Sequence, residues 1–470
     1  MSTNARRYPR IVNLYSSLYS NDEIIPEDVV MAFEESNDRR ELEYLREMLK
    51  EVLSDNRNPS AREKALKVLY KLTFIGIFKP LTVMPLLYYA LADNNSAVSR
   101  VAVLAIGRIG RSDPDTMKHL GETLLYYRES SVREEAAKVL GEMGDGRAIE
   151  YLYNAFKDTD QTVVKEAIKA LVKINHPKAM LHLIKGLTSK DEFVSKATAF
   201  VLRRIEQDDP ARFEANTKQI DDRILIISLR KVLATGTDGT VCCASALVLG
   251  YLRDESVLPE LLQALQKKDD DIRGEAIAAL GRMKHADAIS PLLTLFIRDS
   301  NTVLRKKAVS ALRSIRDIYG ELSLLRRSAV VADLCKVLQT DTDDEIRGYS
   351  AVILGYIKDP DAIRFLLSAL DDHNASVSKA AGLALGRIGS ASESSLIDVL
   401  INWQKVSARC AAATGLGIIR SDAAIDALAK VLQNAPPRVQ RSAWEELKEI
   451  NTPRTRSILA QQSFWKKLFW

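Results

Sequence analysis

The sequence predicts an all-α fold, a right-handed α-solenoid of about twelve stacked helix pairs. Three observations predict it: a motif that recurs with a period near 31 residues, an invariant apolar face within each copy, and a second amphipathic pattern between copies. "SVREEAAKVLGEMG", "DIRGEAIAALGRMK", "EIRGYSAVILGYIK" and "SVSKAAGLALGRIG" show the motif. With the first apolar or Ala position as zero, copies begin at Ala61, Val98, Val132, Val163, Val194, Val241, Ile272, Leu304, Ile346, Val377, Ala408 and Val439.

The register is strict where packing demands it. Position +8 is Leu in eleven copies and Ile106 in the other; position +4 is Ala in nine, Ser in two and Thr198 in one. Offsets 0, 4, 8 and 11 fall on one face of a 3.6-residue helix. A small residue at +4 lets a neighbouring helix come close, and the Leu and Ile positions fill the space around it. Glycine stands at +9 in seven copies. Glycine inside a helix costs about 1 kcal/mol relative to alanine, so its recurrence points to backbone contact or helix termination. Between copies, segments such as "DAIRFLLSALDD" and "DAAIDALAKVLQN" run apolar at i, i+3, i+4 and i+7, then enter Asp/Asn/Ser turns that can cap the next helix. One helix pair cannot bury its apolar face; a stack can.

Along the chain, residues 1–60 lack the motif and read as one or two charged amphipathic helices, a polar cap of the kind terminal repeats need. Residues 61–236 form a first block of repeats and 237–450 a second. The division comes at sixteen extra residues between the copies at Val194 and Val241; eleven more are inserted between Leu304 and Ile346. Both insertions keep apolar periodicity, so longer helices are expected there. The apolar stretch 72–91 is broken by Lys79, Pro80 and Pro85, which suits a buried helix–turn–helix rather than a membrane span. Residues 451–470 end in an aromatic-basic tail, "SFWKKLFW".

The motif resembles HEAT repeats, specifically the short HEAT-like repeats of phycobilisome lyases, over about residues 61–450. The resemblance implies an α-solenoid and leaves function open. Deoxyhypusine-type hydroxylases share the fold but need repeated His-Glu pairs to bind iron. None of the five histidines (119, 176, 182, 285, 373) precedes a Glu, so that chemistry is not expected. Alkylpurine glycosylases of the fold need a basic aromatic groove, whereas Trp403 and Trp444 lie far from any Arg/Lys concentration. A bilin lyase or chromophore-protein assembly chaperone is the alternative reading; Tyr88, Tyr89, Tyr126 and Tyr127, near Arg100, Arg108 and Arg128, are its candidate tetrapyrrole contacts.

No catalytic or metal-binding motif appears, and no cofactor is expected. Net charge is +5 from 67 basic and 62 acidic residues, too balanced to argue for nucleic acid. Four scattered cysteines form neither a disulfide framework nor a metal spacing, and they suit a reducing compartment. The N-terminal stretch has no continuous apolar core, so no signal peptide is expected. The expected location is the cytoplasm, including the inner face of a membrane.

The expected function is therefore a non-catalytic scaffold binding proteins in a multi-subunit assembly. Two sets of contacts are proposed. Position +2 points away from the core face and is basic in six copies: Arg100, Lys165, Lys196, Lys306, Lys379 and Arg441. The tail residues Phe464, Trp465, Lys466, Lys467, Phe469 and Trp470 suit a boundary between apolar and wet surroundings. They would cover the last repeat, dock on a partner or a second copy, or lie in an anionic membrane interface.

Overall fold

The twelve copies of the motif become twelve helices, from Pro59–Phe74 and Ser96–Ile109 to Val406–Ile419 and Pro437–Ile450. The computed structural model describes residues 8–20, 30–33, 36, 38–315 and 328–461, and within them the regular structure is helical throughout. Between successive motif helices lies the first helix of each pair, for example Pro80–Leu91, Thr116–Tyr126, Ile289–Arg298 and Asp422–Asn434. The chain forms two compact units, 1–248 and 249–470, dividing within the helix Gly239–Leu252. Each unit is an all-α solenoid of stacked helix pairs.

The apolar register is borne out. Every residue at +4 is fully buried and every residue at 0 and +8 is buried, whereas +11 alternates between buried and half-buried at the layer's edge. The turns supply the expected caps: an Asp or Asn three residues before position zero accepts a backbone N–H in nine repeats, as Asn58, Asn95, Asp160, Asp191, Asp238, Asp269, Asn301, Asp343 and Asn374.

Backbone contact, not termination, explains the recurring glycine. A Cβ built on Gly141, Gly250, Gly281 or Gly355 would lie 2.7, 2.6, 2.8 or 2.6 Å from the Cα of Ala170, Ala279, Ala311 or Ala384. In each case the neighbour is position +7 of the following repeat. Motif helices thus cross backbone to backbone, and no side chain larger than hydrogen fits.

Three segments differ in detail from expectation. Arg39–Leu53, set apart with the N-terminal segment, packs on Pro59–Phe74 and serves as the first helix of the first pair. Its weak motif follows from being a first helix, a class with looser patterning. The sixteen-residue insertion becomes an additional short helix, Pro210–Thr217, ahead of Arg223–Thr235, because Pro210 and the Asp222 cap each start a new helix. The second insertion lies partly outside the described residues and continues as Ser328–Thr340. Among the described residues no helix is long and apolar enough to cross a membrane.

Candidate protein-interaction surface

The six basic residues at +2 sit on the motif helices, one or more repeats apart, and most are tied to carboxylates. Arg100 reaches Glu135 at 3.9 Å, and Arg441 pairs with Glu445 at 3.0 Å along its own helix. Lys196 contacts Glu192 at 2.5 Å and Asp238 at 3.2 Å. Lys306 contacts Asp343 at 2.8 Å and Glu345 at 3.1 Å. These bonds hold both ammonium groups above the usual lysine range, through Glu192 then Asp238 for Lys196 and Asp343 then Glu345 for Lys306. Lys165 and Lys379 are exposed and form no ion pair among the described residues. Among the described residues the column therefore presents two cations without an ion pair, separated by paired ones whose acids come largely from the next repeat.

The aromatic-basic tail residues Phe464, Trp465, Lys466, Lys467, Phe469 and Trp470 lie outside the described residues. The segment before them is a helix, Pro453–Gln461, packed on Pro437–Ile450. Arg454 ties it to Asp422 and Asp426 of the last repeat's first helix, the latter at 2.5 Å, and Thr455 is fully buried.

The tyrosine–arginine group does not converge. Tyr88 donates to Asp113 at 2.8 Å, and Tyr127 contacts Ser99 Oγ at 2.7 Å and the Asp93 carbonyl. Arg108 turns to the Tyr70 hydroxyl at 3.1 Å. Only Tyr89 and Tyr126 are open, at 57% and 80% exposure.

The histidines are likewise dispersed. His176 and His285 cap helix starts, accepting from Lys178 N at 3.1 Å and Asp287 N at 3.2 Å. His119 lies against Tyr88. His182 stacks on Tyr153 with Nε2 3.3 Å from Glu150, and burial holds its imidazole below the usual range. Asp344, Asp372 and His373 gather closely enough to hold a cation. That place is already taken: Arg347 donates to both carboxylate oxygens of Asp372 at 2.8 and 3.0 Å, contacts Asp344 and lies 3.1 Å from His373 Nε2. With the guanidinium supplying the charge, these donors do not fit a hydroxylase-type iron pair.

The sequence reading missed a buried ladder. Arginine at +1 of one repeat bonds an aspartate five residues before position zero of the next: Arg62–Asp93 at 2.6 Å, Arg133–Asp158 at 2.7 Å, Arg273–Asp299 at 2.5 Å, Arg305–Asp341 at 2.5 Å and Arg347–Asp372 at 2.8 Å. The Arg62 and Asp93 side chains are only 4% and 9% exposed. Burial without pairing would be costly, so each pair is obligatory once formed. The signal was present as two columns, Arg at +1 and Asp at −5.

Residues 117–203, 227–313, 331–402 and 393–463 match the family model of HEAT repeats. The deoxyhypusine hydroxylase of Candida albicans is 26% identical over 263 residues, covering 47% of this chain and 80% of that protein. The deoxyhypusine hydroxylase of Danio rerio is 26% identical over 253 residues, covering 42% and 83%. A crystal structure of Kap121p is 15% identical, covering 98% of this chain and 54% of that one, with a TM-score of 0.49. The phycobilisome-lyase subtype is not singled out by these matches. Matched by the family model over more than half of its length, and built from stacked pairs with the motif's register, the chain belongs to the HEAT-repeat family.

Proposed function

We propose that the chain is a non-catalytic scaffold that holds other proteins in a larger assembly, through the exposed side of its motif helices and through its C-terminal tail. The carrying observation is how the charged groups are used. Buried arginines and aspartates bind repeat to repeat, while the +2 residues Arg100, Lys165, Lys196, Lys379 and Arg441 stand exposed. A stack of this kind offers a long surface suited to an extended partner. The tail, with its aromatic and lysine residues, adds a second contact, with a partner, a second copy or a membrane surface.

Affinity purification from the native source with mass spectrometry tests the reading. Capture should weaken, and lose salt sensitivity, in Lys165→Glu with Lys196→Glu, and deletion of residues 463–470 should remove a subset of partners. Recovery of the chain alone would overturn the proposal. So would a change in visible absorbance on adding a bilin, which favours the chromophore-lyase alternative.

A further inference from the structure

We infer that the seventh and eighth repeats carry a cleft that receives the carboxylates of an extended acidic peptide. This rests on the protein-binding reading, but moves the electrostatic contact away from the +2 column, most of which is neutralised.

The cleft, about 360 Å³, runs between the helices Asp270–Met283 and Thr302–Ser314. Its floor is shallow and small because this is a backbone crossing: Gly281 lies against Ala311, and Ser314 donates to the Gly281 carbonyl at 2.7 Å. Its rim holds Arg253, Arg282, Lys284 and Lys307, and among the described residues no carboxylate lines it. Among the described residues Lys284 and Lys307 form no ion pair, and they stand here beside two arginines. Gathering like charges raises a positive potential that an acidic partner relieves.

Structural roles account for only part of this. Arg253 and Lys284 end successive motif helices in left-handed backbone, φ 53° and 58°, where Gly144 serves in the third repeat. That conformation costs an L-residue about 1–2 kcal/mol. A cation at a helix C-terminus regains roughly 0.3–1 kcal/mol from the helix dipole. Lys307 has no such reason: it lies in the first half of its helix and forms no ion pair among the described residues. Its ammonium reaches across to Gly274, where a Cβ would lie 2.7 Å from Nζ, so the missing side chain leaves it room. Arg282 is held over the Tyr251 ring at 4.6 Å and bonds Glu275 at 3.2 Å, which fixes its direction.

The chemistry favours peptide over nucleic acid. Single-stranded nucleic acid binding relies on open aromatic faces for base stacking. Tyr251, beneath Arg282, is 7% exposed, and among the described residues no aromatic lines the cleft.

The test is fluorescence anisotropy of a labelled Glu–Ser repeat peptide with the full chain, at about 0.05 M salt where exposed charges are weakly screened. Lys284→Glu with Lys307→Glu should weaken binding about tenfold or more, and Lys284→Gln with Lys307→Gln should act in the same direction with both side-chain stems retained. Lys268→Glu with Lys430→Glu, an equal charge change on exposed residues of the same unit, should leave binding within about twofold. Circular dichroism and melting should match the parent in all variants. The proposal is overturned by equal affinity in the cleft and control variants, by tighter binding of an oligonucleotide with the same dependence, or by displacement of the peptide by millimolar inorganic phosphate. If peptide binding behaves as expected while no native protein is captured, the scaffold reading fails and the cleft stands.

Discussion

Replacing Glu446 with glutamine should abolish a pH dependence built into the last repeat. Glu446 occupies +7 of Pro437–Ile450, the position that meets the preceding repeat's glycine, and its carboxyl lies against Gly417. Burial, the nearby Glu449 charge and that of Glu445 raise it from the usual 4.5 to about 7, while a bond to Thr414 and the charge of Lys379 oppose them. With a folded value above the unfolded one, its contribution to stability is fully present below about pH 4.5 and is lost as pH rises through 7. At 1.36 kcal/mol per pH unit the full difference is about 3.4 kcal/mol. The carboxyl is only about half buried, so solvent screening leaves roughly 1–2 kcal/mol. Hydrogen exchange over residues 437–450, corrected for intrinsic rates, reads this as a local opening free energy. The parent should lose about 1–2 kcal/mol between pH 5 and 8, and Glu446→Gln should stay flat, matching the parent at pH 5. No histidine follows His373, so no imidazole in the last two repeats titrates in this window. A flat parent, or a glutamine variant with the same slope, refutes the assignment.

Asp158→Asn should destabilise the first unit by about 3–5 kcal/mol by leaving the Arg133 guanidinium buried without its counter-charge. The double change Arg133→Met with Asp158→Leu should recover most of that in urea unfolding. Gly355→Val should cost about 1–3 kcal/mol and lower the unfolding midpoint, because Cβ has only 2.6 Å to the Ala384 Cα and the obstacle is backbone. Ser99→Arg alone should cost about 3–5 kcal/mol by burying an unpaired guanidinium, whereas Ser99→Arg with Tyr127→Asp should restore most of the stability by installing the ladder's usual pair; equal melting of the two would refute the column rule.

How much of this was legible depends on whether a feature's cause is local. Positions 0, +4 and +8 are set by one helix face meeting one core, so Leu, Ala and the period sufficed to place them. The caps at −3 were legible for the same reason, since Asn301 or Asp343 acts within its own turn. The partners of Lys196 and Lys306 were not, because Asp238 and Asp343 come from the next repeat's turn and double as helix caps. The Arg–Asp ladder hid similarly: Asp93 and Asp158 also accept from the backbone N–H groups of Asn95 and Asp160, so composition read them as turn residues only. The cleft required two helices and three helix ends to meet, which periodicity does not describe.

In a periodic chain, departures from a column are more informative than the column. Some departures come compensated. The second repeat has Ser99 where six repeats have arginine, and the third has Tyr127 where five have aspartate; the hydroxyls meet at 2.7 Å and replace one buried pair with another. Such pairs preserve packing and call for no functional explanation. Others stand alone. At +7, eleven repeats carry Val, Ala, Ile or Gly and the twelfth carries Glu446. In the eleventh, Arg409 keeps the ladder position but faces Asn434 in the aspartate column, and donates to the Leu400 carbonyl instead. In the cleft, Lys284 and Lys307 form no ion pair among the described residues. An uncompensated departure costs stability within the fold, so its retention requires a contribution from outside the repeat's own packing, such as a titrating proton or a bound anion. By that criterion the cleft of repeats seven and eight and the last repeat, which carries Glu446, are the places where a partner's contribution would enter.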